Sequence, residues 1–149
     1  MPKDENITGL LSILQSLMLS LLKMHGIRIR GGMCKGPIYH TNEMVFGPGV
    51  NQAYTMESQI ALFPRIIVDK RIVDVFHNWN DKADPKKGEA KLDDFFELDF
   101  DKNYIFNYLN CSGIEIYKET IRNSLQEELY DTEDEKIKQK LNYMIKKLS

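Results

Sequence analysis

The sequence predicts an α+β fold, and three observations carry that prediction. The uncharged run from Ile7 to Leu22, "ITGLLSILQSLMLSLL", is striped at helical spacing. The stretches "PRIIVD" (64–69) and "DDFFELDFDKNYIFNYL" (93–109) are rich in β-branched and aromatic residues and bounded by turn formers, as strands are. The tail from 114 to 149 returns to helical spacing in two parts, with lysines gathered at its end.

Taken in order, the first helix sets Gly9, Ser12, Ser16, Ser20 and Lys23 on one side and Leu10, Leu14, Leu17 and Leu21 on the other. It stops at Gly26, a residue suited to the left-handed position that closes a helix. A sheet is expected to cover its apolar side. In "GIRIRGG" Ile27 and Ile29 alternate with Arg28 and Arg30, which predicts a half-buried strand followed by a bend, bulge or close backbone approach at Gly31 and Gly32. "MCKGPIYH" reads as extended chain broken at Gly36 and Pro37, Thr41 to Glu43 as a turn, and Met44 to Phe46 as a short strand.

Pro48 suits the first turn of a helix, because its missing N–H was unpaired there anyway. From it Val50, Ala53, Tyr54, Glu57, Ile60 and Ala61 follow one helical face, while Asn51, Thr55 and Ser58 share another. A helix is predicted over Arg71–Asn80, a mobile, charge-rich loop over Asp81–Lys91, a hairpin turning at Asp101–Asn103, and helices over Ile114–Leu129 and Glu133–Leu148 with Thr132 as an N-cap.

Composition narrows the function. A chain of 149 residues that is 42% hydrophobic and 28% charged suits one domain, 1–149, with a true core. A net charge of −2 argues against binding nucleic acid through its backbone. The apolar run counts 16 residues against the about 20 needed to span a bilayer, and Asp4 and Glu5 do not suit a signal peptide. A soluble cytoplasmic protein, without membrane or nucleic-acid partner, is expected.

Cys34 and Cys111 are too far apart for a metal or redox motif, and His25, His40 and His77 lack ligand spacing. "RIRGG" lies inside a strand pattern and is no disordered RGG array. "DFDKN" lacks the glycine and closing glutamate of a calcium loop. "GPGVN" reads either as a plain strand-to-helix turn or as a place where backbone N–H groups and Asn51 approach a phosphate.

"RIRGGMCKGPIYH", "VFGPGVNQAYTMES" and "ALFPRIIVD" together resemble the second half of a class III nucleotidyl cyclase domain. The similarity is nearest to the bacterial pyrimidine cyclases of Pycsar antiphage systems and rests on Arg30, Gly32, Met33, Gly36, Phe46, Gly47, Val50, Asn51 and Ala53. It implies a ferredoxin-like fold, lacking its N-terminal strands and carrying a helical C-terminal tail over 114–149. It also implies a nucleotidyl cyclase activity, in which a nucleoside triphosphate closes to a 3′,5′-cyclic pyrimidine nucleotide. Asn51 would be the catalytic, ribose-positioning residue, with Met44, Phe46, Gly47 and Thr55 against the substrate.

Mg²⁺ or Mn²⁺ would be the cofactor, and the partner either a second copy in a homodimer or a complementing N-terminal segment. Thr55 stands where the family has a charged arginine, Met44 where purine-selective members carry a polar base-reading residue, and the family's two metal-binding aspartates have no counterpart. The expectation is a chain inactive on its own, or alternatively a non-catalytic nucleotide-binding or dimerisation module.

Overall fold

A computed structural model describes residues 5–80 and 94–149, and it bears out the α+β class. The predicted loop Asp81–Lys91 lies outside the described residues. The chain divides into two compact units, one of residues 29–106 and one of residues 1–28 with 107–149.

The first unit is built on a sheet of order β1-β4-β6-β5. Its strands are β1 (Gly31–Met33), β4 (Ile66–Val68), β5 (Phe96–Leu98) and β6 (Tyr104–Phe106). β1 runs parallel to β4, pairing Gly31 with Ile66 and Met33 with Val68, and β4 and β5 both run antiparallel to β6. The two-stranded hairpin β2 (Tyr39–His40) and β3 (Val45–Phe46) is separate from this sheet. Helices α2 (Pro48–Thr55) and α3 (Lys70–Asn80) complete the unit. Met56, Ala61, Ile67 and Ile105 form a buried cluster, and Phe96 packs edge-on against Phe76 and Phe106.

The alternating run Ile27–Arg30 is not the strand. Pairing begins at Gly31, because the partner Ile66–Val68, buried at every position, meets the glycines. The helix begun at Pro48 is α-helical only to Thr55 and widens into a π-turn over Met56–Ile60, where the Ala61 N–H reaches the Met56 carbonyl. That widening leaves the Ile60 and Ala61 carbonyls to a buried arginine, Arg65, which is 2% exposed.

Arg65 also donates to the Asp99 carboxylate at 2.6 Å and to both Asp101 oxygens at 3.1 and 2.6 Å, and lies over the Phe63 and Phe100 rings. A buried charge is tolerated only when it is paired and its donors are satisfied, and Arg65 meets both conditions. "DFDKN", the predicted hairpin turn, is therefore also the anionic half of a clamp.

In the second unit α1 (Glu5–His25) ends as its glycine predicts, with the Gly26 N–H on the Leu22 carbonyl and Gly26 at a φ of 62°. Gln15 donates to the Asn107 carbonyl, Lys23 lies 3.3 Å from the Tyr117 ring centre, and Arg28 pairs with Glu128. The tail forms α4 (Lys118–Asp131) and α5 (Glu135–Lys147). Asp134, not Thr132, caps α5: its carboxylate accepts from the Lys136 and Ile137 N–H groups, while Thr132 ends α4 in extended conformation.

The buried side of α1 is Leu11, Met18 and Leu22, and Leu10 and Leu17 stay exposed, so the expected cover is incomplete. The helix is long and apolar enough, by length and composition, to cross a bilayer, with a mean hydropathy of 1.6 over Ile7–His25.

The clamp makes acid stability testable. Burial alone would raise the Asp101 carboxyl, but hydrogen bonds from Arg65 and Asn103 outweigh it and hold the group at about 2, below its ordinary 3.8. A depressed carboxylate stabilises the fold above its unfolded value, so this contribution is intact above pH 3.8 and drains away toward pH about 2. Thermal unfolding against pH should show Asp101→Asn flattening that acid limb at a cost of about 1 kcal/mol at neutral pH, the pair being partly exposed and screened. Arg65→Met, which strips the cation from buried Asp99, should cost about 3–5 kcal/mol.

Candidate functional site

The candidate surface is mounted on the turn between β3 and α2. Gly47 adopts a φ of 132°, closed to ordinary L residues, and Pro48 starts the helix as predicted. The Gly49 N–H donates to the Pro37 carbonyl at 3.0 Å and the Asn51 N–H to the Gly47 carbonyl at 3.1 Å. "GPGVN" therefore spends two N–H groups on holding the chain rather than leaving them toward a phosphate.

Gly32 shows why one glycine of "RGG" is needed. A Cβ there would stand 2.4 Å from the Ala53 carbonyl oxygen and 2.7 Å from the Met56 Cβ. Of the bend, bulge and close approach that "RGG" allowed, the structure uses the close approach: α2 lies directly on β1.

Met44, Phe46, Asn51 and Thr55 are all exposed along this hairpin and helix. Phe46 stacks on Tyr39 across the hairpin with ring centres 5.2 Å apart. Thr41 caps the intervening turn, its hydroxyl accepting from the Glu43 and Met44 N–H groups. The Thr55 hydroxyl donates to the Asn51 carbonyl at 3.0 Å, which ties it to its own helix and leaves no cation one turn beyond Asn51. These four sequence-predicted residues are thus open to solvent rather than sunk in a cavity, and Asn51 and Thr55, four residues apart, share one face of α2.

Beside them lies a group that sequence reasoning missed. Gln52 donates to Asp69 at 2.7 Å, Arg71 donates to the Gln52 side-chain oxygen at 3.0 Å, and Arg71 and Asp69 form an ion pair. Asp69 also accepts from the Arg71 N–H and so opens α3. Hydrogen bonds from Arg71 hold the Asp69 carboxyl below its usual range against the opposing effect of burial. Burial, followed by the Asp69 charge, pushes the Cys34 thiol up, and its Sγ donates to the Gly49 carbonyl. An open groove of about 510 Å³ runs past Lys35, Gly36, Pro37, Arg71 and Val75. Asp before the apolar-periodic run of α3 was the available signal, since that is an N-cap pattern.

Among the described residues no three His, Cys, Asp or Glu side chains gather as a metal would require. Asp69, the carboxylate tied to α2, is already saturated by arginine and amide donors. The described residues do not fit a divalent cation. Comparison with protein families, curated proteins and solved structures returns no match to this chain.

Two substitutions separate surface from scaffold. Asn51→Ala should leave the denaturation midpoint within about 0.5 kcal/mol, because the residue is exposed. Gly32→Ala should cost about 1–3 kcal/mol, because its methyl group meets the backbone of α2. Equilibrium denaturation of both variants checks the contrast.

Proposed function

We propose that this chain is a class III nucleotidyl cyclase-like module that supplies one wall of a nucleotide site and does not catalyse alone. The observation that carries the reading is the hairpin and helix start, seated on β1 and on the Pro37 carbonyl, on which Met44, Phe46, Asn51 and Thr55 are all exposed. In that reading the Asn51 amide holds the ribose, and the paired Phe46 and Tyr39 rings give the base an apolar neighbour. Met44 has no donor with which to read a purine edge, and a pyrimidine nucleoside triphosphate is the ligand that the resemblance implies.

Charge on a developing pentavalent phosphorus needs cations, and the wall supplies none at Thr55. The Mg²⁺ or Mn²⁺ that the resemblance implies does not fit the described residues, so no chemical step is derived through it. What remains is binding, completed by a second surface, in keeping with a part in cyclic-nucleotide antiphage signalling that rests on the resemblance alone.

The test incubates the purified chain with each of the four ribonucleoside triphosphates and Mn²⁺, following thermal shift and product mass. A pyrimidine triphosphate should raise the melting temperature without forming a cyclic product. Asn51→Ala should weaken that binding about tenfold, the loss of one hydrogen bond worth ~1–1.5 kcal/mol. A cyclic product that disappears in Asn51→Ala would reinstate catalysis, whereas no response to any nucleotide would sink the nucleotide reading.

A further inference from the structure

We propose that the groove past Lys35 and Arg71 is a binding site for a chain of phosphoryl groups, and this inference does not depend on the nucleotide reading. The site begins with the sheet. β1 and β4 run parallel and end side by side, Met33 opposite Val68, with the Asp69 N–H on the Met33 carbonyl at 2.8 Å. Lys35 follows just after the end of β1 and Arg71 just after the end of β4. Open sheets with parallel strands hold ligands in the crevice beyond the strands' carboxyl ends. Here that crevice is the groove of about 510 Å³ lined by Lys35, Gly36, Pro37, Arg71 and Val75.

Its two cations are held differently. Asp69 takes the Nε and Nη2 edge of the Arg71 guanidinium, and the Gln52 side-chain oxygen takes a further bond from Nη2. Nη1, at the other end of the fork, has no hydrogen bond among the described residues, and the Arg71 side chain is 61% exposed. An arginine gripped along one edge has less freedom to lose when its open end meets an anion. The Lys35 ammonium has neither ion pair nor hydrogen bond among the described residues.

The Asp69 carboxylate is 11% exposed, and its oxygens already accept from Gln52, the Arg71 N–H and the Arg71 guanidinium. The first turn of α3, where the helix dipole favours an anion, holds no acidic residue. Linked phosphoryl groups offer oxygens to both cations along one groove, the pairing in which charge-assisted hydrogen bonds are strongest. Two sources supply that chemistry. Pro37 ties the groove to the start of α2 through the Gly49 N–H, and Gln52 follows Asn51, so the phosphates of a nucleotide on the neighbouring wall are one source and a free polyphosphate is the other.

Calorimetric titration of the full chain with sodium tripolyphosphate should show saturable binding. Lys35→Glu and Arg71→Gln, both at exposed positions and with unchanged circular dichroism spectra, should each weaken it about tenfold or more. Lys140→Glu, the same charge change on the exposed surface of α5, should leave it within about twofold. Failure of tripolyphosphate to bind, binding indifferent to Lys35→Glu or to Arg71→Gln, or an equal loss in Lys140→Glu would each overturn the proposal. A parallel titration with a pyrimidine triphosphate identifies the source. Affinity that falls in both Lys35→Glu and Asn51→Ala makes the groove the seat of the nucleotide's phosphates. Tripolyphosphate binding without any response to nucleotide keeps the groove for a free polyphosphate and sinks the nucleotide reading alone, whereas nucleotide binding lost in Asn51→Ala while tripolyphosphate fails to bind sinks the groove alone.

Discussion

Arg65 is a full charge placed where water does not reach, and the unit of residues 29–106 is arranged to meet its demands. Its guanidinium takes two carboxylates, from Asp99 and Asp101, and two carbonyls, from Ile60 and Ala61. The four partners come from two pieces of local structure. The carbonyls are available because α2 opens into a π-turn, and the carboxylates because the β5–β6 loop folds back with the Asp99 N–H on the Asn103 carbonyl. One side chain thereby joins the end of a helix, the start of the central strand β4 and the tip of a hairpin. Replacing such a network by apolar residues of matching shape can be neutral, but removing one member leaves a buried charge alone. The clamp therefore specifies an arrangement more than it adds stability.

Close contact between β1 and α2 is the second constraint, and it connects the clamp to the candidate surface. Arg65 holds the end of the helix, Gly32 lets the helix lie on the strand, and the Gly49 N–H ties its beginning to Pro37. With both ends held, the face carrying Asn51 and Thr55 has little freedom to rearrange. A surface that stays exposed yet rigid gives up less conformational entropy on binding.

Signals that depend on near neighbours were legible in the sequence. Gly26 and Pro48 mark real helix boundaries, "PRIIVD" contains the buried central strand, and the aromatic run turns where "DFDKN" places it. The failures share a cause. Ile27 to Arg30 alternate as a strand should, but a strand is decided by its partner, and Ile66 to Val68 select the glycines instead. Asp99 and Asp101 lie 34 and 36 residues from Arg65, beyond any local pattern. The same holds for α1, where the sequence pattern puts Leu10 and Leu17 on the side to be covered, while packing buries Leu11 and Met18 and leaves Leu10 and Leu17 outside. Of the site, the positions of Asn51 and Thr55 on a common helical face were readable, whereas the Gln52, Asp69 and Arg71 group was not, because it needs α2 and α3 brought together.

The two compact units leave apolar surface exposed in different ways, and the difference bears on what each can bind. In the hairpin Tyr39, Met44 and Phe46 alternate with polar or opposite-facing neighbours, so the exposed patch is short and has an aromatic pair at its centre, a shape suited to a flat ring. On α1 the exposed residues repeat along a helix and are aliphatic, with serines between, which suits a second helix rather than a small molecule. A helix interface gains from length and a base-binding patch from planarity, so neither surface substitutes for the other.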